Sequence, residues 1–420
     1  MDVESLKILN PWWQNPNLIK EDEHLLVRAQ PYYFDHPCKI KIPLEPGLGV
    51  ILRGPRQVGK TTLMKEKIAE ALASGNYAPS NCIFVSCEAF SDFEKLQEFL
   101  TQILQSRAGQ DTVLCLDEVT FVPEWQRAVL WLANAGLLKR AALLISGSDA
   151  HDLKLSAERF PGRNIKELRI YPLSSFDYAR IAFFKNLSPM ERFETYLKVG
   201  GFPRAIADYC LYGFVRDETY EMYLNWILGD SHRYDLSREL MGHILYRIYE
   251  TAGSQVTWTR LIEKTPVKSF ETALSYVEHL DLAFLCHVVA CYDPDKELPA
   301  PRKARKVYFV DPLLYAIAGG YVQGVRRVHD WWNKTLTENG IRGRIFESVV
   351  LDSFCRKTQP VYFWYSANTK REVDVLIRRA DKIKVFEVKW QPTQIKPILG
   401  EDVYVITPQE FVKGEMFIES

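Results

Sequence analysis

Gly47-Leu48-Gly49-Val50-Ile51-Leu52-Arg53-Gly54-Pro55-Arg56-Gln57-Val58-Gly59-Lys60-Thr61-Thr62 is the stretch on which the fold of this 420-residue chain turns. The apolar run from Gly49 to Gly54 reads as a buried strand. A Gly-rich turn follows, then a segment in which Leu63, Ile68 and Leu72 share an apolar helical face and Gly75 ends the helix. Gly54 to Thr61 fits G-x-x-x-x-G-K-S/T in the context that pattern requires, directly after a strand and opening a helix. The flanking strand and helix weigh against the alternative, a chance Gly-rich turn. Glycines allow backbone N–H groups to converge on phosphates, and the helix N-terminus adds partial positive charge. Lys60 is expected to reach the β- and γ-phosphates and Thr61 to ligate Mg²⁺. The expected nucleotide-binding set is Gly54, Pro55, Arg56, Gln57, Val58, Gly59, Lys60, Thr61 and Thr62, with ATP and Mg²⁺ as cofactors.

Outward from this loop, the short apolar runs NCIFVSC, DTVLCLDEV and AALLISGS alternate with the helical patterns SDFEKLQEFLTQILQ and WQRAVLWLANAG. Such alternation predicts βαβ units and a buried parallel sheet with helices on both faces, over residues 46–173. Asp117 and Glu118 end one apolar strand, where a carboxylate is costly unless it meets a cation or a polar site. Asp117 is expected to hold Mg²⁺, and Glu118 to orient or deprotonate the attacking water. A solvated pair of strand-end carboxylates is the alternative. Ser146 or Ser148, after the next strand, is placed to sense a γ-phosphate.

Residues 1–45 carry no sustained period and read as an arm, with Asn10-Pro11-Trp12-Trp13 offering a large apolar surface. Residues 174–250 read as an aromatic-rich helical lid domain broken at Gly200-Gly201-Phe202-Pro203. Residues 251–328 give two helices, a strand, a basic loop and a strand, the order of a winged helix. In that loop Lys296, Arg302, Lys303, Arg305 and Lys306, with Lys264 and Lys268 near the second helix, are suited to DNA phosphates or form a solvated hairpin used for protein contacts. Residues 329–420 read as one helix followed by four strands, a separate α+β domain.

Fifty-three Lys and Arg balance fifty-three Asp and Glu, so no chain-wide field draws the protein to nucleic acid or an acidic membrane. At 47% hydrophobic and 25% charged residues, collagenous and wholly disordered readings are excluded. The eight cysteines show no zinc-site spacing, and several stand in apolar runs, as reduced thiols do. Neither a signal peptide nor a membrane span is evident, which points to the cytosol and to no membrane partner.

The motifs GPRQVGKTT, LDEV followed by WQ, SGS, FPGR, YPLSSFDY and GGFPRAI, with NPWW near the start and KVYFVD later, resemble the prokaryotic, archaeal-type AAA ATPases of the signal-transducing P-loop branch. The resemblance implies an α/β P-loop NTPase core, a helical lid, a winged helix and an α+β restriction-endonuclease-like tail. It also implies Pro203 near the adenine, Ser146 or Ser148 as sensor, and Arg163 as a cation for phosphate, for a neighbouring subunit or for a structural salt bridge. In the tail, Glu347, Asp374 and Glu387-Val388-Lys389 reproduce the order E, D, ExK of the PD-(D/E)XK nucleases. Alternation along a strand points Glu387 and Lys389 to one face. Asp374 and Glu387, with Glu347, are expected to bind Mg²⁺ or Mn²⁺, while Lys389 positions the attacking water. A degenerate copy kept for folding or docking is the alternative. Two readings follow: an ATP-hydrolysing switch coupled to a DNA-cleaving domain, or a regulatory ATPase whose inactive nuclease-like domain binds a partner protein or DNA. A third is a DNA-binding regulator that uses the winged helix alone.

Overall fold

The computed structural model describes residues 3–148, 153, 160, 164–230, 236–300, 303–357, 360–379 and 382–414. They fall into two compact units, Met1–Tyr171 and Pro172–Ser420.

The first unit is built on five parallel strands: β1 (Gly49–Arg53), β2 (Cys82–Ser86), β3 (Thr112–Asp117), β4 (Ala141–Ser146) and β5 (Ile165–Arg169), in the order β2-β3-β4-β1-β5. The inner strands are buried on both faces, so they read as apolar runs rather than alternating ones. Alternation decides instead which core each residue joins. Ile51, Val85, Leu114, Leu116 and Ile145 pack on the face that also holds helices Phe93–Gln105 and Trp125–Asn134. Val50, Leu52, Phe84, Cys115 and Leu144 pack on the other, with Leu63, Met64 and Ile68 of helix Lys60–Ser74. The register pairs Leu52 with Ser146 and Leu116 with Ile145, which sets Asp117 beside Ser146 at the carboxyl ends of the strands. In an open parallel sheet this is the end where ligands bind.

The arm has a definite task at the opposite flank. β2 is an edge strand, and the Asn10 side chain pairs with Phe84 as a neighbouring strand would: Nδ2 donates to the Phe84 carbonyl at 2.8 Å, and the Phe84 N–H donates to Oδ1 at 2.6 Å. Trp12 and Trp13 both aim Nε1 at the Cys82 carbonyl, at 2.8 and 2.9 Å. The motif thus closes an edge that would otherwise be open to another chain.

In the second unit six helices among the described residues from Pro189 to Leu282 precede the strands β6 (Cys286–Asp293), β7 (Leu298–Pro299) and β8 (Arg305–Phe309). Helices Pro312–Val322, Val328–Thr335 and Asn339–Lys357 lead to β9 (Val361–Ser366), β10 (Arg371–Arg379), β11 (Lys382–Val388) and β12 (Val403–Ile406). The strands expected in two domains, 251–328 and 329–420, lie in one seven-stranded sheet, β12-β11-β10-β9-β6-β7, with β8 also on β6. The joint is the parallel pairing of Ala290 with Tyr362 and Cys291 with Phe363. Local periodicity reports strands but not their long-range partners, so the sequence shows no sign of this continuity. No described helix is long and apolar enough to cross a membrane.

Candidate functional site

The loop after β1 is shaped by two glycines for different reasons. A Cβ on Gly54 would stand 2.1 Å from the Ile170 carbonyl oxygen, so no side chain fits there. Gly59 meets nothing within 4 Å but takes φ 96°, and Gln57 is left-handed too at φ 61°. These reversals deliver the chain into helix Lys60–Ser74, whose first N–H groups have no acceptor within the helix. Lys60 is buried, and its Nζ donates to the carbonyls of Gly54 (2.9 Å) and Pro55 (2.8 Å).

Three side chains converge beside the loop. Thr61 Oγ1 donates to Asp117 Oδ2 at 2.7 Å, and Ser146 Oγ donates to Asp117 Oδ1. Glu118 is held in left-handed backbone (φ 55°), and its Oε2 accepts the Ser148 N–H at 2.8 Å. Gly147 between the serines is sterically required: a Cβ there would lie 2.7 Å from Thr120 Cγ2. The Ser148 hydroxyl oxygen is buried with no hydrogen-bond partner among the described residues. Arg163 lies outside the described residues. Pro203 opens helix Pro203–Tyr212 in the second unit.

The second unit gathers the other expected residues, with a difference. Lys306, expected in an exposed basic loop, is fully buried on β8. Its Nζ stands 3.0 Å from Glu347 Oε1, 2.5 Å from Glu372 Oε1 and 3.1 Å from Asp374 Oδ1. Tyr308, two residues on and therefore on the same face, donates to Glu347 Oε1 at 2.5 Å. Asp374 sits where the β10–β9 register shifts between Val373 and Leu376, an irregularity that re-aims a side chain. Its Oδ2 accepts the Val388 N–H at 3.0 Å, and Lys389 Nζ lies 3.3 Å from Glu387 Oε2 and 3.7 Å from Asp374 Oδ2. Gln255 Nε2 donates to Glu372 Oε2 at 2.8 Å.

Against the cost of burial, the charges of Lys306 and Lys389 and hydrogen bonds from Glu387 and Val388 hold Asp374 below the usual carboxylate range. Burial and the neighbouring Asp374 push the Glu387 carboxyl up, against the charge of Lys389. Glu347, Asp374, Glu387 and Lys389 are brought together as the spacing suggests, whereas Lys306, Glu372 and Tyr308 were not anticipated. Their only signal was alternation: Lys306 and Tyr308 within KVYFV, and Glu372 and Asp374 within EVD. Of the other loop cations, Lys264, Lys268, Lys296 and Lys303 are exposed, and Arg302 lies outside the described residues. Arg305 Nη1 is turned back onto the carbonyls of Ala300 (3.0 Å) and Lys303 (2.9 Å).

Two further motifs prove to be halves of one contact. Asp311, after KVYFV, accepts the Gly201 N–H on Oδ2 at 2.7 Å and the Leu313 N–H on Oδ1 at 2.9 Å. A Cβ on Gly200 would stand 2.1 Å from Asp311 Oδ1, and the Gly200 carbonyl accepts from Tyr178 Oη at 2.5 Å. Burial pushes the Asp311 carboxyl up to about 7 in spite of its two N–H donors.

Residues 48–179 match the family model described as an AAA domain. Residues 190–322 and 342–399 match two models each described as a domain of unknown function (DUF8612 and DUF4143). No curated protein matches. Among solved structures, Aeropyrum pernix ORC1 in complex with DNA is 13% identical, covering 74% of this chain and 96% of its own, at a TM-score of 0.33. AMPPCP-bound DnaA from Aquifex aeolicus is 17% identical over 63% of this chain and 86% of its own, at 0.31. The Thermotoga maritima RuvB Holliday junction branch migration motor is also 17% identical, over 69% and 92%, at 0.31. The segment matched by the AAA domain model is the one that carries the parallel sheet and the Gly54–Thr61 loop, a P-loop NTPase core.

Proposed function

We propose that the first unit binds ATP with Mg²⁺ and hydrolyses it, and that the cycle serves as a molecular switch. The observation that carries this reading is the convergence of Thr61 and Ser146 on Asp117 beside the Gly54–Thr61 loop, at the carboxyl ends of the strands. The residues suit the group: Thr61 and Asp117 offer the hard oxygen donors that Mg²⁺ takes, and the helix start offers N–H groups to phosphate. Bound there, Mg²⁺ would neutralise charge on the β- and γ-phosphates. Lys60 would add its ammonium to the same charge, Glu118 would orient the attacking water and accept its proton, and Ser148, whose hydroxyl has no partner among the described residues, would meet the γ-phosphate. Arg163 belongs to the same reading, as a cation for phosphate or for a neighbouring subunit. A cytosolic location suits it as well.

Lys60→Ala is expected to abolish nucleotide binding or turnover. Glu118→Gln is expected to keep ATP binding, read by a fluorescent analogue, while lowering kcat at least 100-fold, in the range typical for loss of a general base. Unchanged turnover in both variants would sink the assignment.

For the second unit, the reading favoured is the regulatory one, a nuclease-like fold that does not cleave. Lys306 among the carboxylates is the observation behind that preference. The exposed Lys264, Lys268, Lys296 and Lys303 remain the candidates for phosphate contacts with DNA.

A further inference from the structure

We propose that Lys306 is the resident cation of the Glu347–Glu372–Asp374 cluster, standing where a divalent metal would otherwise bind and making the cluster a metal-independent joint. An ammonium has three N–H donors, and three carboxylate oxygens from three residues lie within 3.1 Å of this one. Its charge is fully buried, which is tolerable only with such compensation. Five of the cluster's six carboxylate oxygens are already engaged: Glu347 Oε1 by Lys306 and Tyr308, Asp374 Oδ1 by Lys306 and Oδ2 by Val388, Glu372 Oε1 by Lys306 and Oε2 by Gln255.

Mg²⁺ demands near-octahedral oxygen at about 2.0–2.1 Å, with several waters retained. A metal among these oxygens would also lie within a few ångströms of the ammonium, where like charges in a buried site repel strongly. Among the described residues, no three His, Cys, Asp or Glu side chains are disposed to hold a metal ion. The residues therefore do not fit the Mg²⁺ or Mn²⁺ that the E, D, ExK order implies. What they do fit is a tie between three segments distant in sequence: β8, helix Asn339–Lys357 and β10.

The test is Mn²⁺ binding to the full chain without nucleotide, by electron paramagnetic resonance, together with thermal melts in Mn²⁺ or EDTA. A Thr61→Ala, Asp117→Ala background removes both candidate metal ligands beside the phosphate loop. In that background, the chain with Lys306 intact is expected to bind no Mn²⁺ up to 1 mM, about tenfold above a moderately tight site, and to melt at one temperature in both media. Lys306→Met is expected to melt several degrees lower and to gain Mn²⁺ binding that restores the melt and disappears when Asp374→Asn is added. Mn²⁺ binding with Lys306 intact that is lost in Asp374→Asn would overturn the proposal, as would a folded Lys306→Met chain that binds none. If Lys306→Met fails to fold, the comparison with Lys306 intact decides alone: binding abolished by Asp374→Asn overturns the proposal, and no binding supports it.

Discussion

Asp311 shows how one buried carboxyl makes two motifs interdependent. It receives the backbone of Gly201 and Leu313, and Gly200 is required because its Cβ would strike the same carboxylate. With a folded pKa of about 7 against an ordinary value near 4, folding favours the neutral form. The sign follows from linkage: the contribution to stability is complete below about pH 4 and is lost as pH rises through about 7. Denaturant melts of the full chain are therefore expected to weaken between pH 5 and 7, and Asp311→Asn is expected to remove a slope of up to about 1.4 kcal/mol per pH unit. An unchanged slope in the variant would exclude Asp311 as its source. Arg356 opposes and Asp352 reinforces the shift, so Asp352→Asn should reduce it.

At the level of elements, much of the first unit could be read in advance because each strand and helix there carries its own signal. β1 to β4 appear as apolar runs and the phosphate loop as a spaced motif, and the structure bears out the parallel sheet with helices on both faces. Helix Pro312–Val322 carries no such signal: it is buried from Pro312 to Gly320, so it has no polar face to give it a period. The purpose of the arm was hidden because Asn10 and Phe84 are 74 residues apart. Asn10→Ala would remove both bonds to Phe84 and the one Nδ2 makes to the Leu6 carbonyl at 2.8 Å. A loss of about 2–4 kcal/mol is expected from three buried hydrogen bonds, with aggregation through the uncovered β2 edge, checked by chemical denaturation and light scattering. A variant as stable and monodisperse as the parent would show the cap to be dispensable.

For the molecule as a whole, the continuity of the second sheet matters most. Lys306 looked like one of several basic loop residues because charge patterning is local, while its partners lie 41 and 68 residues further on. A chain cut after residue 328 would leave the β6 edge facing β9 uncovered and Lys306 buried without Glu347, Glu372 or Asp374. Such a truncation is expected to lose near-ultraviolet circular dichroism from residues 251–328 and to elute as aggregate, whereas a self-sufficient winged helix would elute as a folded monomer. The same arrangement has a temporal side. During synthesis at roughly 5–20 residues per second, β8 leaves the ribosome about 3–14 s before the strand that carries Asp374. For that interval a lysine destined for the interior has no counter-charge, so this part of the sheet cannot close until β10 has been made, and a product stopped between the two strands is marked by its own unburied cation.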